Sequence, residues 1–158
     1  MWMTKPEPGN VLLKALGSGV AGALALTAVH QTAAHTIRHA PRMDVIGRRA
    51  IAKSAAALGA TPPAGATLQG AALAGDIVSN ALYYSLIAVG DGHRRSIWRR
   101  GLLLGLAAGV GAAVLPPVMG LGRQPGHRGL FTHVLTVLWY TLGGLTTAAT
   151  LQAWSETE

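Results

Sequence analysis

Four stretches of the chain stay apolar for about twenty residues or more, long enough to carry a helix across a bilayer. They lie at residues 11–34, 68–89, 101–119 and 129–154. Charged residues collect in the gaps between them. Prolines stand in the lead before the first stretch (Pro6, Pro8), before the second (Pro62, Pro63) and at the end of the third (Pro116, Pro117), where they oppose, end or kink a helix. Asn10 stands where an N-cap would open the first span. The pattern predicts an all-α fold, an integral membrane four-helix bundle in one domain covering residues 1–158.

The longest gap, residues 35–67, has a pattern of its own. Residues 43–59 read as a helix with Met43, Ile46, Ala50 and Ile51 as apolar positions and Arg48, Arg49 and Lys53 as basic ones. That is the signature of an interfacial helix lying among headgroups, although a short solvated helix fits the same residues. His35 and His39 are four apart and would share a helix face. With no Glu beside them they read as part of a basic patch rather than a metal-binding pair.

Small residues recur at helical spacing inside the spans. Ala15, Gly19 and Ala23 form one such row, Ser18 and Gly22 another, and Gly101, Gly105 and Gly109 a third. Rows of this kind let helix backbones approach closely where no water is present to drive association. In the last span Thr132, Thr136, Gly143 and Thr147 share one face.

Composition sharpens this picture. Only 12% of residues are charged, about half the soluble norm. There are 21 glycines and only 5% aromatics, which suits small-residue packing better than a water-driven core. The absence of cysteine removes disulfides, thiolate chemistry and iron–sulfur ligation. The net charge of +7 would suggest nucleic acid in a soluble protein. Here Arg48, Arg49, Arg94, Arg95, Arg99 and Arg100 flank apolar runs, with Trp98 among the last four, so anionic lipid headgroups are the expected partners and nucleic acid is not. No Ala-x-Ala site leads into a polar mature start, so the first stretch is expected to remain as a span rather than be cleaved as a signal peptide. Four spans put both termini on one side. That side holds six cations (Lys5, Lys14, Arg94, Arg95, Arg99, Arg100) and the other seven (Arg38, Arg42, Arg48, Arg49, Lys53, Arg123, Arg128). The count does not decide orientation, but the dense cluster at residues 94–100 points to cytoplasmic termini.

Candidate chemistry centres on Asp76. An ionisable group inside an apolar span is costly and marks a site by default. Gln69, Asp76, Asn80 and the pair Tyr83 and Tyr84 lie along one helical stripe. With alternating helix directions, the end of the first span and the start of the second and fourth fall on one membrane face. His30, Asp76 and His133 then lie at depths within about 6 Å of one another. The expectation is a polar intramembrane pocket, open towards the long loop, drawing on Asp76, Asn80, Tyr83, Tyr84, His30, His133, Thr136 and Tyr140, with Arg38 or Arg42 able to fold back to it. Its plainest use is structural, as inter-helix hydrogen bonds that fix register. Its sharper use is a relay or a ligand contact. The same His30, Asp76 and His133 have the residue types of a two-His-one-carboxylate metal centre, and the two histidines those of a haem site. They come from separate helices with no local spacing motif, so no cofactor is predicted. No phosphate-cradling loop, nucleophile elbow or His-Glu-x-x-His motif is present. The function expected is a small non-enzymatic binding, permeation or accessory subunit, self-associating or joined to a partner membrane subunit. The alternative is a membrane-embedded metal- or haem-binding enzyme.

Over residues 100–150 the order is an Arg-flanked Gly-rich span, then Leu115-Pro-Pro-Val-Met-Gly-Leu-Gly122, a short basic loop, and a final span opening with Thr132 and His133. This order resembles small uncharacterised four-span inner-membrane proteins of bacteria. The resemblance implies a four-helix membrane fold in the bacterial inner membrane. It implies no activity, and no functional residue is carried over from it.

Overall fold

Backbone polar groups in a bilayer must be satisfied within the segment, and the chain does this with helices throughout. The computed structural model describes residues 8–124 and 129–156; Lys5, Arg128 and Glu158 lie outside them. Among the described residues there are five α-helices: α1 (Pro8–Thr36), α2 (Met43–Ala57), α3 (Gly65–Ser85), α4 (Arg94–Val118) and α5 (Leu130–Glu156). A 3-10 turn, Leu86–Ala88, continues α3. All but α2 are long and apolar enough to cross a membrane, so the fold is a four-helix membrane bundle with an extra helix in its first loop. The spanning helices run past the apolar stretches into polar turns, as in α4, which begins at Arg94 rather than residue 101.

The spans lie side by side in the order α3, α1, α5, α4. Helix α1 has α3 on one flank and α5 on the other, while α3 scarcely touches α4. Neighbouring positions on α1 serve the two flanks. A Cβ at Gly19 would run into the Ala81 carbonyl of α3; one at Gly22 would lie 2.5 Å from the Gly143 carbonyl of α5 and collide with the Thr147 hydroxyl. The α4–α5 seam is closed in the same way. Added Cβ atoms would sit 2.8 Å from the Gly144 carbonyl at Gly101, 2.7 Å from the Thr141 Cα at Gly105 and 2.6 Å from the Val137 Cα at Gly109. No side chain fits between backbones this close, which is the packing that stands in for the hydrophobic effect in lipid.

Where α3 is too far from the α4–α5 pair for such contact, tyrosines reach across. The Tyr84 hydroxyl donates to the Tyr140 carbonyl at 2.7 Å, its ring filling the notch left by Gly143. The Tyr83 hydroxyl donates to the Leu104 carbonyl at 3.1 Å. Two buried threonine hydroxyls on α5 are satisfied within their own helix: Thr136 donates to the Thr132 carbonyl at 2.8 Å and Thr147 to the Gly143 carbonyl at 3.1 Å. The outward faces carry Leu12, Leu13, Leu103, Val110, Val114, Leu130, Phe131 and Leu138, all exposed and suited to lipid tails.

Pro116 and Pro117 sit in the last turn of α4 rather than breaking it earlier. The helix then stops in a left-handed glycine cap: Gly120 has φ +71°, its N–H donates to the Pro117 carbonyl at 3.1 Å, and the Leu121 N–H donates to Pro116 at 2.8 Å. Helix α2 ends the same way, with Gly59 at φ +71° and the Ala60 N–H on the Ala55 carbonyl at 2.9 Å. Helix α1 ends at Thr36, so His39 lies beyond it and shares no helix face with His35.

Replacing Gly105 or Gly22 by Leu forces two backbones apart and is expected to cost about 1–3 kcal/mol. Gly70→Ala on α3, where an added Cβ meets nothing within 4 Å, is expected to be neutral or stabilising. Reversible unfolding of purified protein in mixed micelles, with the three variants side by side, checks this ranking.

Candidate functional site

The site is made by the way α2 is pinned over the ends of the spans. On one side it packs on α3, with Gly47 against Ala72, Ile51 against Gly75, and Ile46 buried. On the other side its cations hold the α4–α5 connection. Arg49 Nη1 donates to the Leu121 and Arg123 carbonyls, each at 2.9 Å, and Lys53 Nζ donates to the Met119 carbonyl at 2.6 Å. These carbonyls lie at and just past the C-terminal end of α4, where the helix dipole favours positive charge. Just before α2, the Arg42 N–H donates to Gln124 Oε1 at 2.7 Å. Of the arginines expected among headgroups, Arg49 is thus tied into the chain. So is Arg48, whose Nη1 donates to Gln69 Oε1 at 3.0 Å. On the opposite membrane face Arg100 binds the Ile87 and Asp91 carbonyls at 2.8 and 2.7 Å, while Arg94, Arg95 and Arg99 are exposed.

Asp44 is the electrostatic centre of the α2 end. Arg42 grips its carboxylate through Nε at 2.8 Å and Nη2 at 2.9 Å, and Arg48 Nη2 approaches at 3.3 Å. The hydrogen bond from Arg42 holds the Asp44 carboxyl below the usual carboxylate range, with burial opposing it and the charges of Arg42 and Arg48 adding to it.

Below this roof lies a cavity of about 260 Å³ bounded by α1, α2 and α3. Thr27, His30, Gln31 and His35 line it from α1, Gln69, Ala72, Leu73 and Asp76 from α3, and Arg42, Asp44 and Gly47 from α2 and its approach. Asp76, at the membrane-interior end of the α3 wall, is half-buried. Asn80 Nδ2, one turn on, donates both to the Asp76 carbonyl at 2.9 Å and to its Oδ1 at 3.0 Å, and the Thr27 hydroxyl sits beside the carboxyl. His30 is 7% exposed. Its ring stands edge-on to Trp139, with centroids 5.2 Å apart, and to Tyr140 at 5.6 Å. Among the described residues neither His30 ring nitrogen has a hydrogen-bond partner. That is an expensive condition for a buried imidazole on a cavity wall.

The structure therefore brings His30 and Asp76 to one cavity, with Asn80 behind Asp76 and Tyr140 behind His30. Tyr83 and Tyr84 turn away to α4 and α5, and Thr136 is spent within its own helix. His133 lies elsewhere. It lines a second cavity of about 430 Å³ at the α4–α5 turn with Pro116, Pro117, Arg123 and Gln124. The three candidate metal ligands do not come together: α1 stands between α3, which carries Asp76, and α5, which carries His133. Among the described residues no three His, Cys, Asp or Glu side chains are grouped to hold a metal ion.

Thr27, Gln31, Asp44 and Gly47 are pocket residues that the stripe on α3 alone does not reveal. One signal for Thr27 is present in the sequence: it lies three positions before His30, on the same helical face. No family model, curated protein or solved structure matches the chain.

Asp44 gives the roof a pH dependence. A carboxyl whose value is lowered on folding contributes stability above its unfolded value, and that contribution is lost as pH falls through the folded one. Docking of α2 is expected to hold at neutral pH and loosen under acid conditions, with Asp44→Asn loosening it at neutral pH by about 1 kcal/mol or less, as suits a partly solvated pair, and converging with the wild type in acid. Amide exchange of α2 in the wild type and the variant, followed from neutral pH into acid, measures this.

Proposed function

We propose that the chain is a small non-enzymatic binding protein of the bacterial inner membrane, whose ligand occupies the cavity between α1, α2 and α3. The observation that carries this is the presence, in the lining of one cavity, of a half-buried carboxyl and a buried imidazole that has no hydrogen-bond partner among the described residues. Structural glue would leave both groups satisfied by neighbouring helices, whereas Asp76 Oδ1 takes its hydrogen bond from Asn80 of its own helix and neither His30 ring nitrogen has a partner among the described residues. Binding is favoured over permeation because the bundle packs tightly towards mid-membrane, where Leu26 and Tyr84 are fully buried.

The proposed orientation puts the termini in the cytoplasm and α2 on the outer face. Exposed Arg94, Arg95 and Arg99 lie on the terminal side, available to anionic headgroups, while Arg42, Arg49 and Lys53 on the other face are engaged within the fold.

The absence of cysteine makes single-cysteine variants easy to read. Thr27→Cys in oriented vesicles is expected to react with a small water-soluble thiol reagent added on the α2 side and not with reagent added on the other. Reaction from both sides would indicate permeation, and reaction from neither would remove the pocket. In intact cells, Leu58→Cys, whose native side chain is 85% exposed at the end of α2, should react with an impermeant maleimide. Ser155→Cys should react only after the membrane is opened.

A further inference from the structure

We infer that the cavity takes an organic primary ammonium group, received by Asp76, the Thr27 hydroxyl and the His30 ring, with the ligand's apolar part against Ala34, Ala72 and Leu73. This rests on the binding reading above and names the ligand class for it.

An ammonium carries three N–H donors and no acceptor. The interior end of the cavity offers the complement. Asp76 presents a carboxyl whose Oδ1 already takes one bond from Asn80, Thr27 adds a hydroxyl, and His30 adds an imidazole with neither nitrogen engaged among the described residues. The amide donor beside the carboxyl, Asn80 Nδ2, is spent on Asp76 itself. Cations do occur at the rim, but Asp44 takes two bonds from Arg42 and one from Arg48, and Arg48 also serves Gln69. An anion entering the cavity would meet the Asp76 carboxylate, and the arginine that lines the cavity, Arg42, is already paired with Asp44. Zinc would ask for three or more protein ligands, and among the described residues no three His, Cys, Asp or Glu side chains are grouped to hold a metal ion.

Size points the same way. A volume of about 260 Å³ holds about eight or nine waters at ~30 Å³ each, far more than an ammonium head needs. The space beside Ala34, Ala72 and Leu73 suits a short hydrocarbon part of the same molecule. Such a group arrives either on a soluble amine or on the headgroup of an aminophospholipid, and the chemistry of recognition is common to both.

The test uses the full chain in nanodiscs of phosphatidylglycerol, titrated by calorimetry near neutral pH. Three probes of nearly equal size are compared: 2-phenylethylammonium, 2-phenylethanol and 3-phenylpropanoate. The ammonium is expected to bind at least about tenfold more tightly than either of the others. Asp76→Asn should erase that preference. Thr27→Val, which keeps the shape and removes the hydroxyl, should reduce it about threefold or more and decides the matter if the Asp76 variant does not fold. Ala34→Phe should block all binding by filling the cavity. Equal or tighter binding of the alcohol or the carboxylate, still blocked by Ala34→Phe, overturns the ammonium assignment and leaves the pocket. An ammonium preference unchanged in Thr27→Val overturns the assignment as well. Absence of any binding that Ala34→Phe removes overturns the pocket itself. Repeating the titration in discs rich in phosphatidylethanolamine separates the sources: a weakened apparent affinity identifies the lipid headgroup as a competitor for the site, and an unchanged one identifies a soluble amine.

Discussion

The constraint on which the molecule rests is contact between backbones along α1. Gly19 and Gly22 are three residues apart, yet one meets the Ala81 carbonyl of α3 and the other the Gly143 carbonyl of α5. In lipid no hydrophobic gain draws helices together, so association depends on dispersion at close range and on hydrogen bonds. Both need the approach that a missing Cβ permits. Once α1 is clasped on both flanks, the order α3, α1, α5, α4 follows, and α3 cannot also lie against α4. The tyrosines are a consequence of that gap. Tyr83 and Tyr84 are long enough to carry a hydrogen bond to a helix whose backbone is out of reach.

The same order explains the cavity. Held to α1 but away from the α4–α5 pair, α3 leaves a trough against α1 at the membrane face where α1 ends. Helix α2 covers it, joined to α3 by small-residue packing and to the α4–α5 connection by Arg49 and Lys53. A carboxyl and an imidazole are thus enclosed by three helices, with a polar roof above and tight apolar packing below. The electrostatic divide inside is sharp. At the rim the charges of Arg42, Asp44 and Arg48 are matched against one another, and at the inner end Asp76 faces hydroxyl and imidazole without a cation.

Much of the fold was legible because its signals are local. Span length, small-residue rows and the loop helix each depend on residues close in sequence, and the apolar runs differ from the helices mainly where polar turns carry α4 back to Arg94 and α1 to Pro8. The cap at Gly59 closes α2 close to where its pattern ends. The site was only half legible. Depth follows from helix direction, so His30, Asp76 and His133 could be put on one level. Neighbourhood depends on which helix lies beside which, and nothing in the spacing of His133 says that α1 separates it from Asp76. The work of Arg49 and Lys53 was hidden for a related reason: their partners are backbone carbonyls some seventy residues away, and a carbonyl has no signature in the residue code.

The central place of α1 also bears on how the protein is made. A chain is made from its N-terminal end, so of the four spans α1 is made before both flanks it needs. The α4–α5 pair, by contrast, is consecutive in the chain and has its own glycine seam, so it can close as soon as it is inserted. Order of synthesis therefore runs against order of contact. The helix at the centre of the finished bundle waits longest for its second neighbour, and Ser18 on that helix needs none in the meantime, since its hydroxyl donates to the Ala15 carbonyl of its own turn at 3.1 Å.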